Sequence, residues 1–508
     1  MKILKTEQVK EADEFTINNE PITSIDLMER AAKTATEWIL LELADFDKFT
    51  IFAGIGNNGG DGLVIARLLS EAKKTVKLHI VEFSTKYSED FQINLKRLKG
   101  KNVEINYIKN IDEFPNLEEE SVIIDAIFGS GLTRPVTGFA GDVIKKINEA
   151  EKELVVAIDV PSGLLGEENH HLEEQNIIKA DVTLTFEFPF LSFLFAENEN
   201  FVGEFIVIPI GISPKYISSA ETDYKIIENE QVATMYRLPK KFSHKGTNGH
   251  GLLIAGGYGR MGAAILAAKA AHRSGIGLLT AHIPKKCVDI MQISSPETLL
   301  SIDENNKNST QIHSLSTFNA IGIGPALGFE KETEKMLKKL LKASKNKPLV
   351  IDADAITIIS KNKKLYNLLP KNCILTPHPK EFERLVGKTK NNYLRLKLQK
   401  EFSIKYKVIV VLKGANTSVS LPNGKVYFNP TGNPGMATGG TGDVLTGIIL
   451  GLLAQGYTPE EAAIMGVYLH GLAGDEANIE LNTNSIIASD LIFYLDKAFD
   501  TILSDFEI

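Results

Sequence analysis

The chain has little cysteine, no long apolar run and no basic stretch interleaved with aromatic residues, and each shortage argues against a class of protein. Only Cys287 and Cys373 occur among 508 residues, which is too few for the disulfide framework of a secreted protein and suits a reducing compartment. No apolar run approaches the roughly 20 residues of a membrane helix, and the N-terminus has no apolar core long enough for a signal peptide. We therefore expect a cytoplasmic protein without a membrane partner.

The charge balance argues against nucleic acid as a ligand. Lysine and arginine number 56 against 64 acidic residues, which gives a formal net charge of −8, and no basic stretch is interleaved with aromatic residues. An acidic chain can still bind phosphates through local backbone amides and a few cations. We expect small-molecule partners; a homo-oligomer is compatible with the sequence, which leaves the oligomeric state open.

The order of apolar segments predicts an α/β protein with mainly parallel sheets. Short β-branched runs alternate with longer amphipathic segments, which is typical of βα units. The length suits two large α/β domains or about three of ~150 residues. An irregular segment at residues 209–230 places the boundary, and the predicted domains are residues 1–219 and 225–508. The polar stretch 301–316 is predicted to be a surface loop.

The individual elements follow from the same periodicity. Strands are predicted at residues 49–53, 76–81, 122–127, 154–158, 182–186, 205–208, 251–255, 278–283, 320–322, 348–351, 373–375, 408–412, 417–421 and 426–428. Helices are predicted at residues 23–43, 62–71, 89–98, 142–148, 331–341, 379–386, 392–406, 444–454 and 459–477, with another after Gly262.

A glycine-rich turn with one aspartate, Asp443, precedes the apolar segment 444–454. The run 433–443 contains four glycines, which let backbone N–H groups approach a ligand closely. A helix N-terminus adds unpaired donors, so the turn predicts a phosphate site. A carboxylate would repel that phosphate unless it removes a proton from a hydroxyl that then attacks phosphorus. The alternative is an ordinary helix-capping aspartate.

A second glycine loop follows the first predicted strand. Gly54-x-Gly56-x-x-Gly59, with Glu82 as a candidate ribose acceptor, satisfies the dinucleotide fingerprint and, taken alone, indicates an NAD(P)-dependent oxidoreductase. The signal is weak, because the chain has 40 glycines and Gly257-x-Gly259-x-x-Gly262 also fits. An oxidoreductase is therefore one of several hypotheses.

Polar residues in and near this loop depart from the plain fingerprint. Asn57, Asn58 and Asp61 supply amides and a carboxylate, which favour a ligand that needs donors and acceptors, or a cation held by oxygens. Two apolar strands each lead into an aspartate, and the carboxyl ends of parallel strands share one edge. Hard oxygen donors there suit K⁺, Mg²⁺ or Ca²⁺. The candidate cluster is Asn58, Asp125, Asp159 and Ser162.

The turn 129–135 follows Asp125 and carries one cation, Arg134. Its amides and guanidinium predict a clamp for a charged phosphate. The alternative for a single strand-end aspartate is helix capping. Two such aspartates beside two glycine loops favour a shared site.

These motifs together resemble two known families. The loop 57–62, the turn after Asp125 and the run 159–163 resemble the NAD(P)H-hydrate epimerase family. The second half resembles the NAD(P)H-hydrate dehydratase family, a branch of the ribokinase-like fold. The similarity covers nearly the whole chain, in the order seen in bacterial bifunctional repair enzymes. The matching segments of the second half are 256–262, 352–355, 376–382, 413–417 and 433–443.

The resemblance implies a fold, a reaction and cofactors. It implies a Rossmann-like three-layer αβα epimerase domain over residues 1–219, followed by a ribokinase-like αβα dehydratase domain over residues 225–508. The first would interconvert the R and S hydrates of NADH and NADPH (NADHX and NADPHX), with K⁺ at its site. The second would dehydrate the S form with ADP and Mg²⁺, releasing AMP and phosphate. ADP versus ATP and NADH versus NADPH preferences stay open.

In the first half, the resemblance assigns roles to the loop residues. Asp159 is expected to be the acid–base catalyst, and Asn58, Asp125 and Ser162 are expected to hold K⁺. The expected substrate-binding residues are Asn57, Asn58, Gly59, Gly60, Asp61, Gly129, Ser130, Gly131, Leu132, Thr133, Arg134, Pro135 and Asp159.

In the second half, Asp443 is expected to accept the hydroxyl proton, and Glu381 to orient a magnesium-bound water. Each assignment has a plain alternative: a helix start for Glu381, an exposed-loop lysine for Lys413, a structural histidine for His378 and helix–strand packing for Gly262. The expected substrate contacts are Gly262, His378 and Asp443; the nucleotide contacts are Lys413, Gly414, Ala415, Asn416, Thr417 and Gly442; the anion hole is Gly439, Gly440, Thr441 and Gly442.

Two further hypotheses stay open beside the oxidoreductase. A small-molecule kinase of the hydroxymethylpyrimidine or hydroxyethylthiazole type shares the glycine–aspartate ending, but it would leave a stable phosphorylated product and would not explain the first half. The first half could also be a binding or scaffolding module, against which the presence of Asn58, Asp125, Asp159 and Ser162 argues.

Overall fold

A computed structural model describes residues 1–169 and 176–504. The chain divides into two compact units, Lys2–Thr222 and Asp223–Ile508, with Met1 assigned to the second. Strands and helices alternate in both, so the predicted α/β class is confirmed. None of the described helices is long and apolar enough to cross a membrane.

The first unit begins with a short strand and two helices before its main sheet. Its elements are β1 (Lys2–Ile3), α1 (Thr6–Asn19), α2 (Ser24–Glu42), β2 (Lys48–Ala53), α3 (Asn57–Glu71), β3 (Thr75–Val81), α4 (Glu89–Arg97), β4 (Glu104–Ile108), β5 (Val122–Ala126), α5 (Gly138–Glu149), β6 (Leu154–Ile158), β7 (Val182–Phe186), α6 (Glu199–Val202), β8 (Glu204–Ile208) and α7 (Pro214–Ser219).

The main sheet of this unit is parallel, in the order β4-β3-β2-β5-β6-β7-β8. Alternate residues point to opposite faces: Ile51 and Ile124 pack with α2 and α3, whereas Phe52 and Ile123 pack with α5. The predicted three-layer αβα arrangement is confirmed. Because the strand order reverses between β2 and β5, their carboxyl ends border a crevice, and Asp125 stands on β5 beside it.

The second unit has a longer series of elements. They are β9 (Tyr224–Ile226), α8 (Asn229–Met235), β10 (His250–Ile254), α9 (Met261–Arg273), β11 (Leu278–Pro284), α10 (Val288–Ser294), β12 (Leu299–Asp303), β13 (Ala320–Ile323), α11 (Lys331–Ala343), β14 (Leu349–Ile351), α12 (Ala353–Lys361), β15 (Ile374–Leu375), α13 (Pro379–Val386), α14 (Asn392–Tyr406), β16 (Ile409–Leu412), β17 (Ser418–Ser420), β18 (Val426–Phe428), α15 (Thr441–Ala454), α16 (Pro459–Glu480), α17 (Ala488–Phe493) and α18 (Leu495–Leu503).

Its sheet runs β9-β18-β17-β16-β15-β14-β13-β10-β11-β12 within the unit. Strands β16, β17 and β18 pair antiparallel, and the other pairs of this series are parallel. One face packs against α9, α15 and α16, and the other against α11 to α14, which again gives three αβα layers. The prediction of a loop from residue 301 is wrong at its start, because Ser301 and Asp303 belong to β12 and pair with β11.

Helix α15 is the central helix of this unit. Its residues from Val444 to Ala454 are all buried. A Cβ on Gly447 would stand 2.1 Å from the carbonyl oxygen of Ala267 on α9, so the glycine permits direct backbone contact between the two helices. This contact holds α15 in place against α9, and it thereby positions the Asp443 carboxyl group in the first turn of α15.

Candidate functional site

A cavity of about 760 Å³ opens at the carboxyl edge of the first unit's sheet. It is lined by α1, α2, the start of α3 and the loops after β5, β6 and β7. Among the predicted residues, it brings together Asn57, Asn58, Asp61, Gly129, Ser130, Gly131, Leu132, Thr133 and Asp159.

Four predicted contact residues lie outside this lining. Arg134 and Pro135 are exposed on the turn beyond it. A Cβ on Gly59 would stand 1.8 Å from the Gly54 carbonyl oxygen, and one on Gly60 would stand 2.7 Å from a methionine sulfur. Gly59 therefore lets the loop fold back on Gly54, which accounts for part of the dinucleotide-like spacing, and Gly60 lets α3 pack closely against α2.

Asp159 follows β6 in a left-handed backbone conformation, with φ at +68°. Its carboxylate accepts a hydrogen bond from the Ser130 N–H at 2.7 Å. Burial raises the pKa of Asp159, and the bonds from Ser130 oppose that rise. A Cβ on Gly129 would stand 2.6 Å from the Asp159 Oδ2, so any larger residue here would require the carboxylate or the turn to move.

Asp125 and Ser162 form a buried pair beside the cavity. Ser162 donates its hydroxyl to Asp125 Oδ1 at 2.6 Å and its N–H to Oδ2 at 2.7 Å. Burial raises the pKa of Asp125 to about 6, although the hydrogen bonds from Ser162 lower it. The side-chain oxygen and nitrogen of Asn58 are buried without a hydrogen-bond partner among the described residues. Asn58 follows β2, and Asp125 lies on the neighbouring strand β5. An unpaired amide oxygen, a carboxylate and a hydroxyl at one edge of the sheet are ligands that suit a hard cation such as K⁺.

Asp13, on α1, lines the same cavity and was missed in the sequence. Burial raises its pKa to about 7, and the carboxylates of Asp159 and Glu14 add to the rise. Burial also raises the pKa of Asp61 well above its ordinary value, with further contributions from Asp159, Asp13 and Asp90. Asp13 and Asp61 therefore retain protons near neutral pH more readily than ordinary aspartates.

The second site lies at the N-terminus of α15. Gly440 caps this helix with φ at +100°, and Asp443 is the third helical residue. Burial raises the pKa of Asp443 to about 7; Asp352 and Asp354 raise it further, and Lys413 opposes them. The predicted anion-hole residues Gly439, Gly440, Thr441 and Gly442 form the turn and first helical positions. The first N–H groups of a helix lack intrahelical partners and can bind an anion.

Lys413 lies next to this turn. Its Nζ donates to Asp352 Oδ1 at 3.0 Å, and the Thr446 hydroxyl donates to Oδ2 at 2.9 Å. A Cβ on Gly442 would stand 3.2 Å from the lysine Nζ. The ammonium group is thus held over the glycine turn, where it can meet a phosphate.

The segment after Lys413 forms a tight turn at the end of β16. Thr417 Oγ1 accepts from the Gly414 N–H at 3.2 Å and donates to the Gly414 carbonyl at 2.9 Å. Ala415 and Asn416 lie between them, with Ala415 exposed. Five of the predicted nucleotide-binding residues, 413–417, therefore share one ordered turn, and the sixth, Gly442, lies in the first turn of α15 with its Cα facing the Lys413 ammonium.

His378 and Glu381 form the cap of α13. The Glu381 carboxylate accepts from the His378 N–H at 2.9 Å, and the His378 Nδ1 accepts from the Lys380 N–H at 3.2 Å. Burial lowers the pKa of His378, with Glu381 opposing, so the ring is neutral near pH 7. The Glu381 carboxylate is thus already used to cap α13. It could therefore contact a magnesium ion only through a bound water molecule.

Gly262 is the second residue of α9, and no atom outside its own helix lies within 4 Å of a Cβ built there. That open space favours ligand access over helix–strand packing. The Gly256 N–H, earlier in the same loop, donates to the Pro325 carbonyl at 2.8 Å. The loop before α9 is therefore fixed against the turn after β13.

Arg260 and Asp354 lie in segments that carry the family resemblance but received no role there, and the turn 324–328 was missed in the sequence. The Gly328 N–H donates to Asp354 Oδ2 at 2.8 Å, and Arg260 lies 3.5 Å from the same oxygen. The run Gly324-Pro-Ala-Leu-Gly328 directly after a buried strand was the available signal. These groups add a cation near the glycine loops.

His470 on α16 makes a hydrogen bond to the first residue of α15, Thr441. Its Nε2 lies 2.8 Å from the Thr441 carbonyl oxygen. Burial lowers the pKa of His470 to about 4, so the neutral ring donates this bond. Sequence reasoning missed it because 29 residues separate the two partners.

Comparison with known proteins gives matches to both halves. Residues 24–191 match the family described as YjeF-related protein N-terminus, and residues 251–496 match the family described as NAD(P)H-hydrate dehydratase. A solved ADP/ATP-dependent NAD(P)H-hydrate dehydratase from Bacillus subtilis, co-crystallised with ATP/Mg²⁺, is 32% identical; the match covers 55% of this chain and 98% of that one, with a TM-score of 0.49.

Two relatives match over the full length. The bifunctional NAD(P)H-hydrate repair enzyme of Moorella thermoacetica is 34% identical over 97% of this chain and 96% of its own. That of Thermofilum pendens is 32% identical over 100% of this chain and 98% of its own. The chain therefore belongs to the family of bifunctional NAD(P)H-hydrate repair enzymes.

Proposed function

We propose that this protein repairs hydrated nicotinamide cofactors in two steps. Residues 1–219 interconvert the R and S hydrates, and residues 225–508 convert the S hydrate and ADP into NAD(P)H, AMP and phosphate. The observation that carries the proposal is the half-buried Asp443 carboxyl at the N-terminus of α15, beside Lys413. A phosphate site with its own proton acceptor suits phosphorylation of an alcohol.

Dehydration needs a better leaving group than hydroxide. Asp443 takes the proton of the C6 hydroxyl of the hydrate. The hydroxyl oxygen attacks the terminal phosphorus of ADP, and AMP departs. The amides of the turn 439–442 and the ammonium of Lys413 stabilise the charge on the transferred group. The ring nitrogen's lone pair then expels phosphate, and loss of the C5 proton restores the double bond. His378 and Gly262 bind the hydrate, and the turn 413–417 binds the nucleotide.

Magnesium accompanies the nucleotide in this proposal. When bound, it neutralises phosphate charge. Glu381 would hold it only through water, since its carboxylate caps α13.

Epimerisation uses the cavity of the first unit. Asp159 exchanges a proton with the hydrate, and the loops 57–61 and 129–135 bind it. Asn58, Asp125 and Ser162 would hold K⁺, which supplies positive charge to anchor a phosphate. The unpaired side chain of Asn58 supports that role.

One incubation tests the function against its rivals. The protein is mixed with acid-generated NADH hydrate and ADP, without a hydride donor. Return of the near-ultraviolet absorbance of NADH, together with AMP and phosphate, supports repair. A stable phosphorylated product would indicate a kinase, and a net redox change an oxidoreductase. Consumption of the S epimer alone would make the first unit a binding module.

The rate of dehydration should rise with pH through about 7. The folded-state pKa of Asp443 is raised, so the carboxylate that accepts the proton accumulates only as the pH passes that value. The measurement is kcat/KM for the S hydrate between about pH 5.5 and 8.5. A rate that is constant or falls over this range contradicts the assignment of Asp443 as base.

Gly129→Ala should impair epimerisation and spare dehydration. The new methyl group would stand 2.6 Å from Asp159 Oδ2 and displace the carboxylate. Displacement by about 1 Å can lower a rate by about 10²-fold. The two epimers are assayed separately in the same preparation, so S turnover serves as the folding control. Undiminished R turnover would show that the turn yields without moving Asp159.

A further inference from the structure

We propose that Asp13 is the second acid–base group of the first unit and works together with Asp159 on the hydrate. This inference rests on the epimerase function proposed above. It assigns a catalytic role to a helix, α1, that carries none of the loop motifs.

Inversion at C6 requires two proton transfers in each direction. In ring opening, a base takes the hydroxyl proton, C6=O forms, the C6–N1 bond breaks, and N1 takes its electron pair and a proton from an acid. Closure on the other face reverses these steps. Loss and return of water makes the same demand, since an acid protonates the departing hydroxyl and a base deprotonates the returning water. One ionised and one protonated group are therefore needed.

Asp13 is placed for this task. It lines the cavity that Asp159 lines, and it comes from α1, whereas Asp159 follows β6. Its carboxyl has no hydrogen-bond or ion-pair partner in the described part of the chain, so nothing structural engages it. Asp159 is by contrast fixed by the Ser130 N–H at 2.7 Å.

The protonation states distinguish Asp13 from Asp61. Asp61 is 9% exposed, and burial holds its pKa well above the ordinary value. The pKa of Asp13 is raised to about 7, so both of its forms are populated at neutral pH. A group that exchanges roles in each half-reaction needs both forms.

Other charges also face Asp13 and affect its titration. The charged residues of α1 in the lining include both acidic and basic side chains, whereas those of the other elements are all acidic. The charged groups that line the cavity with it are Glu7, Lys10 and Glu14 on α1, Asp61 on α3, Asp159 after β6 and Glu187 after β7.

A structural role and a catalytic role of Asp13 predict different effects of its removal on protein stability. A partnerless carboxyl close to two others lowers stability, because its ionised form is repelled and poorly solvated. Asp13→Asn removes that repulsion, and the variant is therefore expected to melt no lower than the wild type above pH 7. A carboxyl that lowers stability at neutral pH is consistent with use on the substrate and not with a structural role.

The test uses the full chain with R-enriched NADH hydrate and ADP. Asp13→Asn is expected to lower R turnover by about 10²-fold, the lower end of what a positioned proton-transfer group contributes. Turnover of the S epimer and the KM for the R epimer should stay unchanged. The bell-shaped pH profile of R turnover should lose one limb. Glu11→Gln, on the same helix but outside the cavity lining, is the control.

Each result has a defined meaning. Wild-type R turnover in Asp13→Asn overturns the inference, whereas failure of the wild-type protein to use R at all overturns the epimerase proposal instead. If Asp13→Asn also unfolds, Asp13→Glu decides: a folded glutamate variant that recovers part of the R turnover supports the role. One that recovers none while keeping full S turnover overturns it.

Discussion

Asp443→Asn is expected to abolish dehydration of the S hydrate while ADP still binds. Asparagine keeps the size and position of the side chain but cannot accept the hydroxyl proton. Loss of a general base lowers rates by about 10²–10⁴-fold. Nucleotide affinity should hold or improve, because the variant removes a negative charge near Asp352 and the phosphate cradle.

The measurement separates binding from chemistry. Single-turnover recovery of NADH absorbance gives the chemical rate, and calorimetry gives the ADP affinity. Asp496→Asn, an exposed aspartate on α18, is the matched control and should behave as wild type. A loss of ADP affinity as large as the loss of rate would make Asp443 a binding residue instead.

Stability provides an independent check on the same variant. The folded-state pKa of Asp443, about 7, exceeds its ordinary value of 3.8, so the folded protein binds more protons between these values. The free energy of unfolding therefore decreases as pH rises through this window. Asp443→Asn lacks this decrease and should melt above the wild type at pH 8, which would also exclude misfolding as the cause of inactivity.

Asp159→Asn is expected to stop use of the R epimer and leave S dehydration unchanged. Asparagine adopts the left-handed conformation readily, so the backbone at φ +68° is kept. Its amide cannot exchange the proton that inversion at C6 requires. R turnover should fall by about 10²–10⁴-fold, or to the spontaneous rate of epimerisation if that is faster.

The two epimers must be supplied separately for this experiment. The R hydrate is given with ADP to the full chain, whose second unit is unchanged, and the rate of NADH formation is measured after traces of the S hydrate have been consumed. Asp142→Asn, exposed on α5, is the control. R turnover well above the spontaneous rate in Asp159→Asn would remove Asp159 from the mechanism.

Buried parallel strands were predictable, because each is a continuous apolar run. The prediction 49–53 corresponds to Lys48–Ala53, and 154–158 coincides with Leu154–Ile158. Two edge strands, β4 and β12, were missed, since each is half exposed and mixes polar with apolar residues, whereas the edge strand β8 was predicted at 205–208 because its sequence is an apolar run. Helix α1 was missed because only Ala12 and Thr16 on it are buried.

The candidate sites were predictable where chemistry is concentrated in one short segment. The turn 433–443 announces a phosphate site by composition alone. Its partners come from distant segments: Asp352 lies 61 residues from Lys413 and 94 from Thr446, yet it contacts both. Asp13 has no neighbouring motif, so only the folded cavity places it beside Asp159.

The acidic lining of the first unit's cavity couples binding of the hydrate to binding of protons or cations. It presents six carboxyl side chains and a single lysine among its described residues, although the proposed ligand carries phosphate. Binding of an anion here is favoured when protons or a cation bind with it, because they offset the repulsion from these carboxylates. The affinity for the hydrate is then coupled to proton activity and salt composition. The ionic state of the cell, and not the supply of damaged cofactor alone, would set how fully this cavity is occupied.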